Sequence, residues 1–315
     1  MATPQPDPPA RDTRHDTGRD SGQDAVTIAA GDYRATAVLA GGGLSTLTHG
    51  GVDLVRGTPP GQVVTAGRGQ VLLPWPNRIR DGKYRFAGAD QQLALSEPAR
   101  HNAIHGLVRW CTWQVVEQAP DAVTLGYRLA AQRGYPWTLD VRTRYAVSPA
   151  GLEVRIAATN RSADAVPFAV GMHPYLDVGC SLDRAMLTLP GATHQLVGDR
   201  KLPTGTEPAS GEHDLRSGRA LAGLALDDGY TDLERGEDGH VVVRLEGPDR
   251  AVELWADEAF PWLQAYTGDD LPEQARLSLA VEPMTAPADA FNSGTDLVVL
   301  QPGETWAGSF GIRAG

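Results

Sequence analysis

Apolar and polar residues alternate with period two along much of this chain. Leu139, Val141, Tyr145 and Val147 alternate with Asp140, Arg142 and Arg144, and Leu152, Val154 and Ile156 with Glu153 and Arg155. That period places apolar side chains on one face of a pleated strand and charged ones on the other. Ser148-Pro149-Ala150-Gly151 lies between the two runs and supplies a turn, so an antiparallel hairpin is expected. Val241, Val243 and Leu245, then Val252 and Leu254, repeat the pattern around Gly247-Pro248-Asp249, which predicts a second hairpin. Further strands are expected over 34–40, 83–87, 112–118, 123–130, 166–170, 277–281 and 296–300. Helical periodicity is confined to short turns such as 272–276. Short strands divided by Gly/Pro turns predict an all-β sandwich. No internal repeat is evident.

Residues 1–23 are dominated by Pro, Asp, Arg, Gly and Ser. They have too little to bury to offset the entropy of ordering them, so a disordered tail over 1–23 and one domain over 24–315 are expected. The 28 basic and 39 acidic residues leave a net charge of −11. That argues against nucleic acid as a partner, because phosphate binding rests on Lys and Arg. The chain has neither a long apolar run nor the apolar core of a signal segment, so no membrane association and a cytoplasmic location are expected. Cys111 and Cys180 are too few for a disulfide framework or a thiolate cluster, and both are expected as reduced thiols.

Candidate chemistry lies in three separated segments. His105 stands in Asn102-Ala103-Ile104-His105-Gly106, His173 in Gly171-Met172-His173-Pro174-Tyr175, and Glu282 in Val281-Glu282-Pro283-Met284-Thr285. Imidazole and carboxylate are the side chains best suited to exchanging protons with a hydroxyl near neutral pH. Pro174 and Pro283 hold the preceding residue extended, so His173 and Glu282 are each expected at the end of an apolar strand. His105 is expected at a turn leading to a strand with Trp110 and Trp113, where a structural histidine is the alternative. Leu73-Pro74-Trp75-Pro76 precedes Asn77-Arg78-Ile79-Arg80-Asp81-Gly82, and the prolines predict an extended loop there. Arg78 can offer a forked pair of donors to a polyol and Trp75 an aromatic face to a sugar ring; a surface ion pair and a core tryptophan are the alternatives. Asp227 is a binding carboxylate or an Asx-turn residue. Gly41-Gly42-Gly43 lacks the lysine and helix of a phosphate loop and reads as a turn. HExxH, EF-hand, paired CxxC and Gly-x-Ser-x-Gly motifs are missing, so neither a metal nor a serine nucleophile is expected.

Taken in order, these segments resemble the aldose 1-epimerase (galactose mutarotase) family from about residue 27 to 313. The resemblance is carried by Asn77-Arg78-Ile79 with Gly82-Lys83-Tyr84-Arg85-Phe86, Ile104-His105-Gly106, Gly134-Tyr135-Pro136-Trp137 and His173-Pro174-Tyr175. It continues through Leu226-Asp227-Asp228-Gly229-Tyr230, Val281-Glu282-Pro283-Met284-Thr285, Asp289-Ala290-Phe291-Asn292-Ser293-Gly294 and Leu300-Gln301-Pro302-Gly303-Glu304. It implies a large antiparallel β-supersandwich and an isomerase that exchanges the α and β anomers of an aldose. It further implies that Glu282 is the general base, His173 the general acid, His105 and Arg78 the residues that orient the sugar, and Asp227 a holder of ring hydroxyls. No cofactor is implied, the partner is a small sugar, and a monomer or homodimer is expected.

Pro-Tyr-Leu after His173 and a single glycine after His105 set the chain apart from typical galactose mutarotases. A hexose-6-phosphate 1-epimerase is therefore an alternative, with Arg80 and Arg109 as candidate phosphate cations. A sugar-binding sandwich without turnover is another. A glycosidase or lyase fits less well, since glycoside hydrolysis usually needs two carboxylates.

Overall fold

The alternation at 139–156 folds as the hairpin it predicts. Leu139–Ser148 and Gly151–Asn160 pair antiparallel with Ser148 opposite Gly151, and Val241–Glu246 pairs with Ala251–Ala256 in the same way. Both hairpins belong to a nine-stranded antiparallel sheet, where the strand Thr305–Ala314 lies between Gly151–Asn160 and Ala251–Ala256. The computed structural model describes residues 24–315, so the tail expected over 1–23 lies outside the described residues. A second, twelve-stranded sheet starts at Ala25–Ala30 and ends at Pro203–Pro208. The two pack face to face, and one apolar cluster takes in Ile28, Ala35 and Leu47 from the larger sheet and Val141, Val154 and Phe310 from the smaller. The fold is thus all-β, a large antiparallel sandwich, with the four-residue helix Ala290–Ser293 as the α-helix among the described residues. No helix in this range is long and apolar enough to cross a membrane.

Most expected strands form within a residue or two of their predicted bounds, and Gly41 and Gly42 occupy the turn expected there with positive φ. Three expectations need correction. The segment after Pro76 is not wholly a loop: Arg78–Arg80 is a strand paired with Asn102–Ile104. The prolines end before it, and alternation in Arg-Ile-Arg lets Ile79 face the core at 1% exposure, opposite Ala103. The strand predicted over 166–170 ends early: Val166–Phe168 joins Val298–Leu300, and beyond the predicted bounds a separate strand, Gly171–Met172, joins the large sheet. Glu282 is not at a strand end but inside Leu279–Met284, every residue of which is buried. Pro283, which has no N–H to give, lies where the ladder to the neighbouring chain lapses: that chain pairs as Gly171–Met172 and again, in the same register, as Tyr175–Leu176, with His173-Pro174 between.

Candidate active site

That interruption builds the site. The register that pairs Gly171 with Met284 and Tyr175 with Ala280 sets His173 opposite Glu282. Their side chains meet, His173 Nε2 lying 3.3 Å from Glu282 Oε1, with 5% and 3% of each exposed. Both form the inner wall of a cleft of about 480 Å³ that Arg78, His105 and Asp227 also line. Burial disfavours the charged form of either partner. It pushes His173 down to about 3, with Arg109 and Arg68 acting the same way. It raises Glu282 well above the usual carboxylate range, Asp227 adding to the effect and Arg78 opposing it. The state burial favours is a neutral imidazole beside a protonated carboxyl.

His105 follows Asn102–Ile104 at φ 60° and is clasped by the Asn77 backbone. The Asn77 N–H donates to His105 Nδ1 at 3.1 Å, and the His105 N–H donates to Asn77 O at 2.8 Å. An Nδ1 that accepts leaves the ring proton on Nε2, so neutral His105 is a donor on its other side. Burial, with Arg109, His173 and Arg78, holds it well below the ordinary histidine range and so in that neutral form. Its ring meets that of His173 edge-on, with centroids 5.4 Å apart.

Arg78 gives a forked pair of bonds, Nε and Nη2 to the two oxygens of Glu97 at 2.9 and 3.0 Å, and Nη1 to Asn77 Oδ1 at 3.2 Å. The fork expected for a polyol is thus taken by Glu97, and of the five N–H groups one on each Nη remains without a protein acceptor. Burial opposes the charge on Glu97, but hydrogen bonds from Arg78 and Asn102 outweigh it and hold that carboxyl below its usual range. Asn77 Nδ2 approaches Gln264 Oε1 at 3.4 Å, Gln264 Nε2 donates to Asp227 Oδ1 at 2.9 Å, and Lys201 Nζ lies 3.2 Å from Asp227 Oδ2. Asp227 is therefore a held, partly open carboxylate rather than an Asx-turn residue.

The structure brings together Glu282, His173, His105, Arg78, Asp227 and Asn77, but not Trp75. That ring is 2% exposed and packs edge-on against Phe291 at 5.9 Å, away from the cleft. It is the core tryptophan of the alternative reading, held against Phe291 of the short helix. Trp110, 67% exposed, and Tyr266 are the aromatic side chains on the cleft. Arg80 pairs with Asp289 and lies outside it, whereas Arg109 lines it. Gln264, Lys201, Glu97 and Arg68 belong to none of the motifs. The one available signal was for Gln264, which shares the alternation of Trp262–Tyr266 and lies opposite Glu282.

Ligand atoms of His105, His173 and Glu282 lie within 4.8 Å of one another, a number and spacing that a metal can use. The proton that Asn77 imposes on His105 Nε2 makes that nitrogen a donor, which fits a sugar oxygen better than an ion. His194, His213 and Asp228 are grouped likewise, but the two imidazoles stack with centroids 4.1 Å and planes 11° apart. Parallel rings cannot both aim in-plane lone pairs at one ion, so this group reads as a clasp. In it His194 Nε2 bonds Asp228 Oδ1 at 3.0 Å.

A family model described as aldose 1-epimerase matches residues 24–313. The chain is similar to YihR, an uncharacterised protein of Escherichia coli (strain K12), with 38% identity over 286 residues, 90% of this chain and 91% of that one. Among solved structures, the GalM/aldose epimerase homologue from C. elegans superposes with a TM-score of 0.82 at 22% identity, covering 92% of this chain and 98% of that chain. A galactose mutarotase-like protein from Clostridium acetobutylicum gives 0.82 at 20% identity, covering 92% and 95%. At those identities the likeness is one of fold.

Proposed function

The chain belongs to the aldose 1-epimerase family, and from that premise we propose that it exchanges the α and β anomers of an aldose by acid/base ring opening and reclosure. The observation that carries this reading is the His173–Glu282 pair, 3.3 Å apart and buried, on the wall of a cleft with three further polar side chains suited to hold a sugar. Glu282 takes the proton of the C1 hydroxyl while His173 gives one to the ring oxygen, and the C1–O5 bond breaks to leave an aldehyde. Rotation about C1–C2 presents the other carbonyl face. O5 then adds to it, its proton returning to His173 and the Glu282 proton going to O1. His105 Nε2–H and the Arg78 guanidinium are donors for oxygens of the sugar, and Asp227 accepts from its hydroxyls.

The burial-favoured state gives this cycle a direction. Carboxylate with imidazolium and carboxyl with imidazole hold the same number of protons. The second, charge-free arrangement is the one present while the sugar is open. Burial thus favours the proton arrangement of the aldehyde intermediate, and the hydroxyls of a bound closed sugar restore the ion pair by hydrogen bonding to the carboxylate.

Polarimetry on freshly dissolved α-glucose, α-galactose and other aldoses tests the reading. At least one rotation should relax faster with protein than without. Sugar binding with no acceleration for any aldose would replace it with a binding function. Gly67→Ala probes the site's precision. Gly67 has φ +68°, and a Cβ there would lie 2.9 Å from His173 Cδ2. The left-handed backbone costs ~1–2 kcal/mol for a residue with a side chain, and the pushed imidazole should cost up to ~10²-fold in kcat. A variant with unchanged kcat would show that this loop does not place the ring.

One observation favours a second reading in which the sugar carries an anionic group, as a hexose 6-phosphate does. Arg109 is 8% exposed, lines the cleft, and has its Nε buried without a partner, while Nη2 donates to Ile104 O at 3.1 Å. Burial brings it down to about 10, so it remains a cation. On this reading Arg109→Gln raises KM for the phosphosugar roughly 10- to 100-fold, the worth of a charged hydrogen bond, and leaves neutral aldoses unaffected. Equal effects on both sugars would count against it.

A further inference from the structure

Arg68 is a cation that sugar binding does not use. It sits next to Gly67, is 5% exposed, and is not on the cleft wall. No carboxylate appears among the charged and polar groups acting on it, which are Tyr175, Arg56 and Tyr266. Nη1 makes a long bond to Ser278 Oγ at 3.5 Å, and Nε is buried without a partner. An uncompensated buried charge is costly, so its place calls for a reason. The group that receives it is the Tyr175 ring, whose centroid lies 4.1 Å from the guanidinium carbon. A desolvated cation–π contact is a strong one. The same ring stacks on His173, with centroids 5.0 Å and planes 7° apart, and is anchored by Tyr175 Oη donating to Ala66 O at 3.0 Å. Gly69 N–H donates to His173 O at 2.8 Å, and His173 N–H to Gln70 O at 3.2 Å. One loop therefore grips His173 by its backbone, by Gly67 at its edge, and by Arg68 through the tyrosine ring.

We propose that Arg68 is a positioning residue for His173: through the Tyr175 ring it fixes the plane of the imidazole, and its fixed charge disfavours a second cation on that ring. The groups facing His173 are Glu282 at 3.3 Å, His105 at 5.4 Å and the Tyr175 ring. Arg109 and Arg68 are the cations that act on it. Glu282 is the carboxyl among them, and with its proton in place only a hydrogen bond to the residue's own backbone favours an imidazolium, against burial and both cations. The inference rests on the mutarotase reading only for its kinetic arm.

The test is ¹⁵N NMR titration of the His173 imidazole, with the pH dependence of kcat, in Arg68→Met and Arg68→Lys. The methionine variant keeps bulk and loses charge. Its imidazolium signal should appear at a pH roughly one unit higher than in wild type, the acidic limb of kcat should move with it, and KM should stay. The lysine variant keeps charge without the planar fork, so its titration should match wild type while kcat is only partly retained. A methionine variant that titrates like wild type overturns the proposal, as does a rise in KM at unchanged kcat. If that variant does not fold, a lysine variant with wild-type kcat overturns the positioning role on its own. NMR reads the ring without turnover. Should wild type accelerate no sugar while the shift is seen, the mutarotase reading fails and the role of Arg68 stands.

Discussion

Glu282→Gln is expected to lower kcat for anomer exchange about 10²–10⁴-fold and to raise thermal stability, the more so at higher pH. The two effects share one cause. An unfolded Glu282 titrates near 4.5, while in the fold burial holds it well above that. Between the two values the folded chain keeps a proton that the unfolded chain has lost, so its stability falls as pH rises through that window. Glutamine fills the same space with no proton to lose and is spared the penalty. His173 carries the mirror-image cost. It ordinarily titrates near 6.5 and is pushed down to about 3, so its contribution is present above 6.5 and is lost as pH falls toward 3. Polarimetry gives kcat, and calorimetric melting at mildly acidic and mildly alkaline pH gives stability. A variant within about tenfold of wild-type kcat would remove Glu282 from the role of base. A variant less stable than wild type at alkaline pH would show that the carboxyl stabilises the fold rather than burdening it.

Gly106→Ala should be among the most destabilising single changes available, costing ~4 kcal/mol or more. Gly106 has φ +72°, and a Cβ there would lie 2.0 Å from Leu73 O, 2.3 Å from its carbonyl carbon and 2.7 Å from its nitrogen. These atoms are backbone and cannot swing aside as a side-chain tip can. The left-handed conformation adds ~1–2 kcal/mol. Relieving the clash means parting two segments that Leu107 N–H, donating to Leu73 O at 2.7 Å, holds together. Since His105 precedes Gly106, any shift also loosens its clasp with Asn77, and surviving protein should show raised KM. Denaturant melts would decide it: a loss under about 1 kcal/mol would mean that the backbone there yields more easily than its contacts suggest.

The hairpins were legible because the signal is local: Tyr145 and Val154 face inward for reasons contained in their own strands. His173 and Glu282 were legible as motif residues, since proline after each marks an unusual strand position. Their depth was not. Leu279–Met284 runs on through Pro283, buried between two neighbouring chains, and no window of sequence around Glu282 contains that fact. Trp75 and Trp110 show the same limit. Each stands beside polar or proline-rich neighbours, yet one is 2% exposed and the other 67%, a choice made by Phe291 and the cleft rather than by either local context. Gln264, Lys201 and Arg68 act through Asp227 and Tyr175, and such relations come into being only when distant strands align.

The placement of His173 across from Glu282 in an antiparallel ladder makes the backbone a ruler for the distance between them. Neighbouring side chains on a strand point to opposite faces, so a slip of one position would send one partner through the sheet, and a slip of two would part them by about 7 Å. Their distance is therefore written in residue counts, from Gly171 to Tyr175 along one segment and from Ala280 to Met284 along the other. Within those short spans an insertion or deletion would be more damaging than most substitutions. The loops that line the rest of the cleft lie outside those spans, so a change of length there leaves the facing of His173 and Glu282 intact.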